Sequence, residues 1–314
     1  MARASKGPVA VTDALLRRWQ IRQPDSSGDK EDRGVALVIG GATEVPGAIL
    51  LAGVAALRVG AGKLQLAGPK SAATSLGVAV PEARVFSLPE SGDGFLDRKS
   101  GGRAAELTQG ADAILVGPGM MNDDAVRGFM DEVIRRIADK PIVIDALALS
   151  ALRGGRYRFT EEARVVLTPN IGEMAGITGD KATAIEADPR GAALTVARDL
   201  NAVVALKGAE TFIAMPGGEV FRYAEGDVGL ATSGSGDVLA GAIVGLIARG
   251  AAIDQAAVWA VYLHGAAGNR LKRRIGPLGF LARELSDEIA PVMSALGGRR
   301  ALPKRSRHRK TGPS

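Results

Sequence analysis

The feature that most constrains this chain is a repeated order: a short run of Val, Ile, Leu and Ala ends abruptly in Gly, Asp, Pro or Lys, and a helical stretch follows. VALVI (35–39) ends in Gly40 and Gly41 and leads into PGAILLAGVAALRVG (46–60). KLQLA (63–67) comes next, so the first unit reads as strand, helix, strand with a parallel crossover. AILV (113–116) precedes a helix from about Asp123, in which Val126, Phe129, Met130, Val133 and Ile137 share one face while Asp131, Glu132, Arg135 and Arg136 lie elsewhere. IVI (142–144), RVVLT (164–168) and AVVAL (202–206) continue the series, the last after a helix that Asp188 caps and Pro189 opens. TFIAM and VFRY flank Pro216-Gly217-Gly218 and predict a β-hairpin at the sheet edge. Helices alone follow, one from Asp237 to Arg249 closing at Gly250 and one from about Asp254 through His264 toward Arg270. Strands that are apolar throughout need cover on both faces. The expected architecture is therefore a three-layer α/β domain over residues 34–296, with a mostly parallel sheet and helices on both sides.

Composition fits that architecture and removes several functions. The 314 residues are 46% hydrophobic but only 4% aromatic, and 42 are Gly, so the core rests on aliphatic side chains and close backbone approach. With no Cys, disulfides, thiolate zinc sites, iron–sulfur clusters and a Cys nucleophile are excluded, and with two His an all-His metal site has too few ligands. The apolar runs are too short to span a bilayer and the first 30 residues hold no signal-type core, so the expected location is the cytoplasm. The net charge of +6 is misleading as a sign of nucleic-acid binding, because residues 297–314 alone carry seven Lys or Arg and no acid. That segment reads as a disordered basic tail without assigned function, and no nucleic acid or membrane is expected as a partner. Residues 1–33 form an N-terminal segment with one short amphipathic helix, Thr12 to Gln20, that Asp13 helps to start and whose Trp19 docks on the body; Pro24 to Asp32 is turn-forming.

In a parallel sheet, ligands bind beyond the carboxyl ends of the strands. The residues found there are Gly40-Gly41, Gly117-Pro118-Gly119, Asp145, Pro169-Asn170-Ile171-Gly172-Glu173 and Lys207-Gly208. The sharpest segment is ATSGSGDVLAG (231–241), in which Gly234-Ser235-Gly236-Asp237 stands just before a long apolar helix. Glycine amides at a helix N-terminus attract phosphate oxygens. A carboxylate there repels them, which makes sense if Asp237 takes a proton from a hydroxyl attacking phosphorus. The alternative is that Ser235 or Asp237 simply caps the helix. Other motifs fail: Gly60-Ala61-Gly62-Lys63 lacks the Ser/Thr and upstream Gly of a P-loop, Gly117-Pro118-Gly119 is not completed to G-x-G-x-x-G, and no Ser sits in G-x-S-x-G. His264, among Val261, Tyr262 and Leu263, reads as packed or capping.

Six segments in order then carry a resemblance: VIGGATEVPGAILLAGVAALRVGAGKL (38–64), ILVGPGM (114–120), PIVIDALAL (141–149), VLTPNIGEMAGITG (166–179), VVALKGAETFIA (203–214) and ATSGSGDVLAG (231–241). Together they resemble the NAD(P)H-hydrate dehydratase family, which has the ribokinase-like fold, over about residues 35–290. The resemblance implies repair of NADHX and NADPHX, hydrated forms of the reduced nicotinamide cofactors. A nucleotide phosphoryl group activates the ring hydroxyl, and phosphate then leaves. It implies Asp237 as the catalytic residue. It further implies that Ala48, Gly119, Asn170 and Asp237 contact the substrate and that Lys207, Gly208, Ala209, Glu210, Thr211 and Gly236 bind the nucleotide. Mg2+ is expected with ADP or ATP rather than in a dedicated protein site, with ADP the favoured donor, and a homotetramer is expected. Two departures stand out: Asn170 replaces a frequent His, losing any cationic contact, and Ser233-Gly234 replaces a Gly-Gly pair. The residues before the first strand are too few for the epimerase domain of many relatives, so the expected substrate is the S epimer alone, with a separate epimerase. Two other readings remain: a small-molecule kinase of the same superfamily using Asp237, and a non-catalytic nucleotide sensor.

Overall fold

The structure is a computed structural model that describes residues 7–23, 30–137, 140–160 and 162–297. In chain order the elements are β1 (Val9–Ala10), α1 (Asp13–Arg18), β2 (Val35–Ile39), α2 (Gly47–Arg58), β3 (Lys63–Pro69), α3 (Lys70–Ala79), β4 (Ala83–Leu88), α4 (Arg98–Leu107), β5 (Ala113–Val116), α5 (Asp123–Ile134), β6 (Ile142–Ile144), β7 (Val165–Leu167), α6 (Ile171–Thr178), α7 (Ala182–Ala187), α8 (Pro189–Leu200), β8 (Val203–Leu206), β9 (Thr211–Ala214), β10 (Val220–Tyr223), α9 (Ser235–Ala248), α10 (Ile253–Arg274) and α11 (Ala282–Leu296). The strands form one ten-stranded sheet in the order β1-β10-β9-β8-β7-β6-β5-β2-β3-β4.

Strand alternation divides the core in two. Ala36, Val38, Leu115, Val143, Val166 and Ala205 point to the face covered by α2, α9, α10 and α11. Leu37, Ile39, Ile114, Ile144, Leu167 and Leu206 point to the opposite face, under α4, α5, α6 and α8. This is the expected three-layer α/β arrangement. On the first face α9 is buried nearly all round, which its Ala, Gly, Val, Leu and Ile content allows. An ideal Cβ on Gly241 would lie 2.1 Å from the Ala52 carbonyl oxygen of α2, so glycine is what lets the two helices approach.

The N-terminal segment docks through Trp19 as expected, but it also extends the sheet. The hairpin of β9 and β10 does not end the sheet, because β1 pairs in parallel with β10, Val9 opposite Phe221. Trp19 stacks on Phe221 with ring centroids 5.7 Å apart, and Trp259 Nε1 donates to the Trp19 carbonyl at 2.8 Å. Val11, Leu16 and Ile21 are buried in the same core, so residue 34 marks the first long strand rather than the start of the folded body. The basic tail after residue 297 and the first part of the turn segment, residues 24–29, lie outside the described residues. Among the described residues no helix is long and apolar enough to cross a membrane.

Candidate active site

Strand order brings separate stretches of sequence to one rim. Chain direction across the sheet reverses between β2 and β5, which are neighbours: β3 and β4 extend to one side, β6, β7 and β8 to the other. Such a switch point opens a crevice beyond the strand ends. Here the crevice floor is glycine: the Gly41 N–H donates to the Pro118 carbonyl at 2.7 Å. A Cβ on Gly119, whose φ is +69°, would lie 2.5 Å from the Val45 carbonyl oxygen and 2.9 Å from the Ala48 Cβ. Ala48 and Gly119 therefore adjoin.

Beside the crevice, β6, β7 and β8 end in line. Thr168 Oγ1 donates to Asp145 Oδ1 at 2.6 Å, and Lys207 Nζ donates to the same oxygen at 3.0 Å. Asn170 and Lys207 continue the parallel pairing of β7 and β8 as an isolated bridge. Asn170 caps α6: its Oδ1 accepts from the Glu173 N–H at 2.8 Å, and Glu173 Oε2 accepts from the Asn170 N–H at 2.7 Å. The cap turns Glu173 back toward Lys207, 3.8 Å from Nζ.

The N-terminus of α9 meets this cluster. Gly234 is its N-cap, with φ +86° and no capping side chain, so neither Ser235 nor Asp237 serves as the cap. The Ser235 N–H donates back to the Thr232 carbonyl and the Val238 N–H to the Gly234 carbonyl, each at 3.2 Å. Between them, the N–H groups of Gly236 and Asp237 have no intrahelical acceptor. A Cβ on Gly236 would lie 3.3 Å from Lys207 Nζ, and one on Gly234 would lie 3.9 Å from Asp237 Oδ2 and 2.4 Å from Leu51 Cδ1. Asp237 thus sits on the α2 side of the helix end and Gly236 on the Lys207 side.

These groups perturb one another. Burial is the largest influence on Asp237; the negative charges of Asp145 and Glu173 add to it, Lys207 opposes them, and the carboxyl is pushed up to about 7. Glu173 is raised by burial first, with Lys207 opposing and Asp145 adding. Burial lowers Lys207, but Asp145, Glu173 and Asp237 outweigh it and hold the ammonium above its ordinary value. Among the described residues no group of three or more His, Asp or Glu is placed to hold a metal ion by itself.

A cavity of about 690 Å³ opens next to the cluster, and Asn170, Lys207, Gly208, Ala209, Thr211 and Gly236 line it. Glu210 is turned outward instead, with Arg222 Nε donating to it at 2.7 Å, and does not line the cavity. Ala48, Gly119 and Asp237 also lie outside the cavity wall, on the crevice side. Sequence reasoning placed Asp145 and Glu173 on the strand-end rim without giving them a task, and nothing in the chain order says that both meet Lys207. It also read His264 as packed or capping; in the structure His264 hydrogen-bonds Ser235 at 2.8 Å and lines the cavity.

Comparison with known proteins agrees with this geometry. A family model described as NAD(P)H-hydrate dehydratase matches residues 36–291. A protein of Xanthomonas campestris named ADP-dependent (S)-NAD(P)H-hydrate dehydratase is 45% identical over 287 residues, covering 91% of this chain and 96% of the relative. The crystal structure of the ADP/ATP-dependent NAD(P)H-hydrate dehydratase from Bacillus subtilis, co-crystallised with ATP and Mg2+, superposes with a TM-score of 0.81 at 32% identity, covering 93% of this chain and all of that one. A ribokinase-like superfamily protein from Enterococcus faecalis superposes with a TM-score of 0.79 at 25% identity, covering 94% and 99% of the two chains.

Proposed function

The chain belongs to the NAD(P)H-hydrate dehydratase family, and from that membership we infer that its site dehydrates the S epimer of NADHX and NADPHX in a nucleotide-dependent reaction. The fold is ribokinase-like and the protein is an enzyme, a hydro-lyase that restores the reduced cofactor. Hydroxide leaves a carbon poorly and phosphate leaves it well, so a kinase-like site serves an elimination. The observation that carries the reading is Asp237: a carboxyl pushed up to about 7, in the first turn of a helix whose free N–H groups attract phosphoryl oxygens.

In this reading the nucleotide occupies the cavity lined by Lys207, Gly208, Ala209 and Thr211, with its terminal phosphoryl group at the Gly236 end of α9. The hydrated ring enters the crevice over the wall that Ala48 and Gly119 form together. Asn170 spends its Oδ1 on the α6 cap, which leaves Nδ2 to donate to the substrate. Asp237, between cavity and crevice, takes the proton of the ring hydroxyl as that oxygen forms its bond to phosphorus and the donor's bridging bond breaks. Phosphate then departs with the C–O electron pair, a ring proton is lost, and the double bond returns. With ADP as donor the other products are AMP and inorganic phosphate. Three carboxylates around one ammonium suit a divalent cation carried in by the nucleotide: Glu173 and Asp237 would hold Mg2+ through its water shell, where it would neutralise charge on the phosphoryl oxygens.

The same reading puts the reaction in the cytoplasm, with a separate epimerase to convert the other epimer and assembly as a homotetramer. The test is absorbance at the reduced-nicotinamide band with a mixture of NADHX epimers, Mg2+, and ADP or ATP in parallel. A nucleotide-dependent rise that stops near half conversion is expected. A stable phosphate ester without that rise would favour a conventional kinase, and binding without turnover a sensor.

A further inference from the structure

Ser235 and His264 have no task in the reaction just described, yet both line the nucleotide cavity. Ser235 is the first residue of α9 and only 3% exposed. His264 Nε2 lies 2.8 Å from Ser235 Oγ and 3.1 Å from the Ser235 carbonyl oxygen. A carbonyl oxygen can only accept, so the proton is on Nε2, and this one N–H reaches both oxygens of the same residue. A nitrogen that carries its proton has no lone pair to offer the hydroxyl. Ser235 Oγ has no other hydrogen-bond partner among the described residues, so its own proton points away from the imidazole. What lies there is the cavity, at the end of the helix where the N–H groups of Gly236 and Asp237 also project.

We propose that Ser235 Oγ donates a hydrogen bond to a phosphoryl oxygen of the bound nucleotide, and that His264 is the positioning residue that aims it. The neutral ring suits this role. Burial, with the Lys207 ammonium adding to it against the Ser235 carbonyl, pushes His264 down to about 4, so the ring stays uncharged at neutral pH and Nδ1 carries no competing proton. A hydroxyl fixed in this way adds a directed donor to a helix end whose amides already face an anion, and it distinguishes a phosphoryl group from an apolar occupant. The inference rests on the reading that this cavity takes a nucleotide.

The test is calorimetric titration of the full chain with MgADP. A charge-assisted hydrogen bond of this kind corresponds to a loss of about 10- to 100-fold in affinity for Ser235→Ala. His264→Leu should weaken MgADP binding too, while Ser235→Ala combined with His264→Leu should be no weaker than Ser235→Ala alone, because the two act through one proton. Wild-type affinity in folded Ser235→Ala overturns the proposal. Additive losses in the double variant overturn the positioning role of His264, since a purely structural effect would add to the loss of the hydroxyl. Failure of the folded wild-type protein to bind MgADP at all would instead overturn the nucleotide reading and the inference with it.

Discussion

Replacing Asp237 by Asn should slow turnover by about 100-fold or more and, as pH rises above about 5, make the protein progressively more stable. The carboxyl sits in the first turn of α9 with Asp145 and Glu173 near it, and burial together with their charge pushes it from an ordinary 3.8 up to about 7. A group raised on folding contributes most below its unfolded value and loses that contribution as pH climbs to its folded value. From the interval between those values, ionised Asp237 costs the native state up to about 4 kcal/mol, near one pH unit per 1.4 kcal/mol. Asn keeps the shape and hydrogen-bonding capacity without the charge. The stability advantage of Asp237→Asn should therefore be small near pH 4, grow by about 2 to 3 kcal/mol between pH 5 and pH 8, and stay level above that. Urea denaturation of both proteins across this range measures it, with the difference read from midpoints at unchanged slope. An advantage independent of pH, or none at pH 8, would refute the claim that Asp237 is held in a desolvated, negatively charged setting.

Asp145→Asn removes one of the two negative charges facing Asp237 while Oδ1 still accepts from Thr168 and Lys207, so the acidic limb of kcat/KM should move to lower pH; an unmoved limb contradicts the coupling. Gly234→Ala places a Cβ 2.4 Å from Leu51 Cδ1 at a φ of +86°, and the clash with strain should cost about 1 to 3 kcal/mol in denaturation. Gly241→Ala pushes α9 off α2 against the Ala52 carbonyl 2.1 Å away and should lower the unfolding free energy measured in urea by about 1 to 3 kcal/mol or more.

The strands that build the site were legible because a strand buried on both faces is apolar throughout, as in VALVI and AILV. Elements at the periphery were not. β1 is two exposed residues with no periodicity to read, and β4 is half-exposed along most of its length. Helix α11 contains Pro291, which reads as an interruption in sequence. For the site, glycines before a helix and an acid after them signalled phosphate chemistry without alignment to structure. What the sequence does not express is adjacency: Asp145 and Lys207 are 62 residues apart and meet because β6, β7 and β8 are neighbours in the sheet. His264 gives no signal at all among apolar neighbours on α10, since its partner Ser235 comes from another helix, 29 residues earlier.

The central claim is that one phosphoryl transfer, with Asp237 as proton acceptor, precedes each dehydration. The direct measurement is simultaneous recording of NADH, inorganic phosphate and AMP from (S)-NADHX and MgADP, for the wild-type protein and for Asp237→Asn. The account predicts equal amounts of all three products from the wild type, and rates lower by about 100- to 10,000-fold in the variant. NADH formed without matching phosphate and AMP, or formed at an unchanged rate by Asp237→Asn, would contradict it.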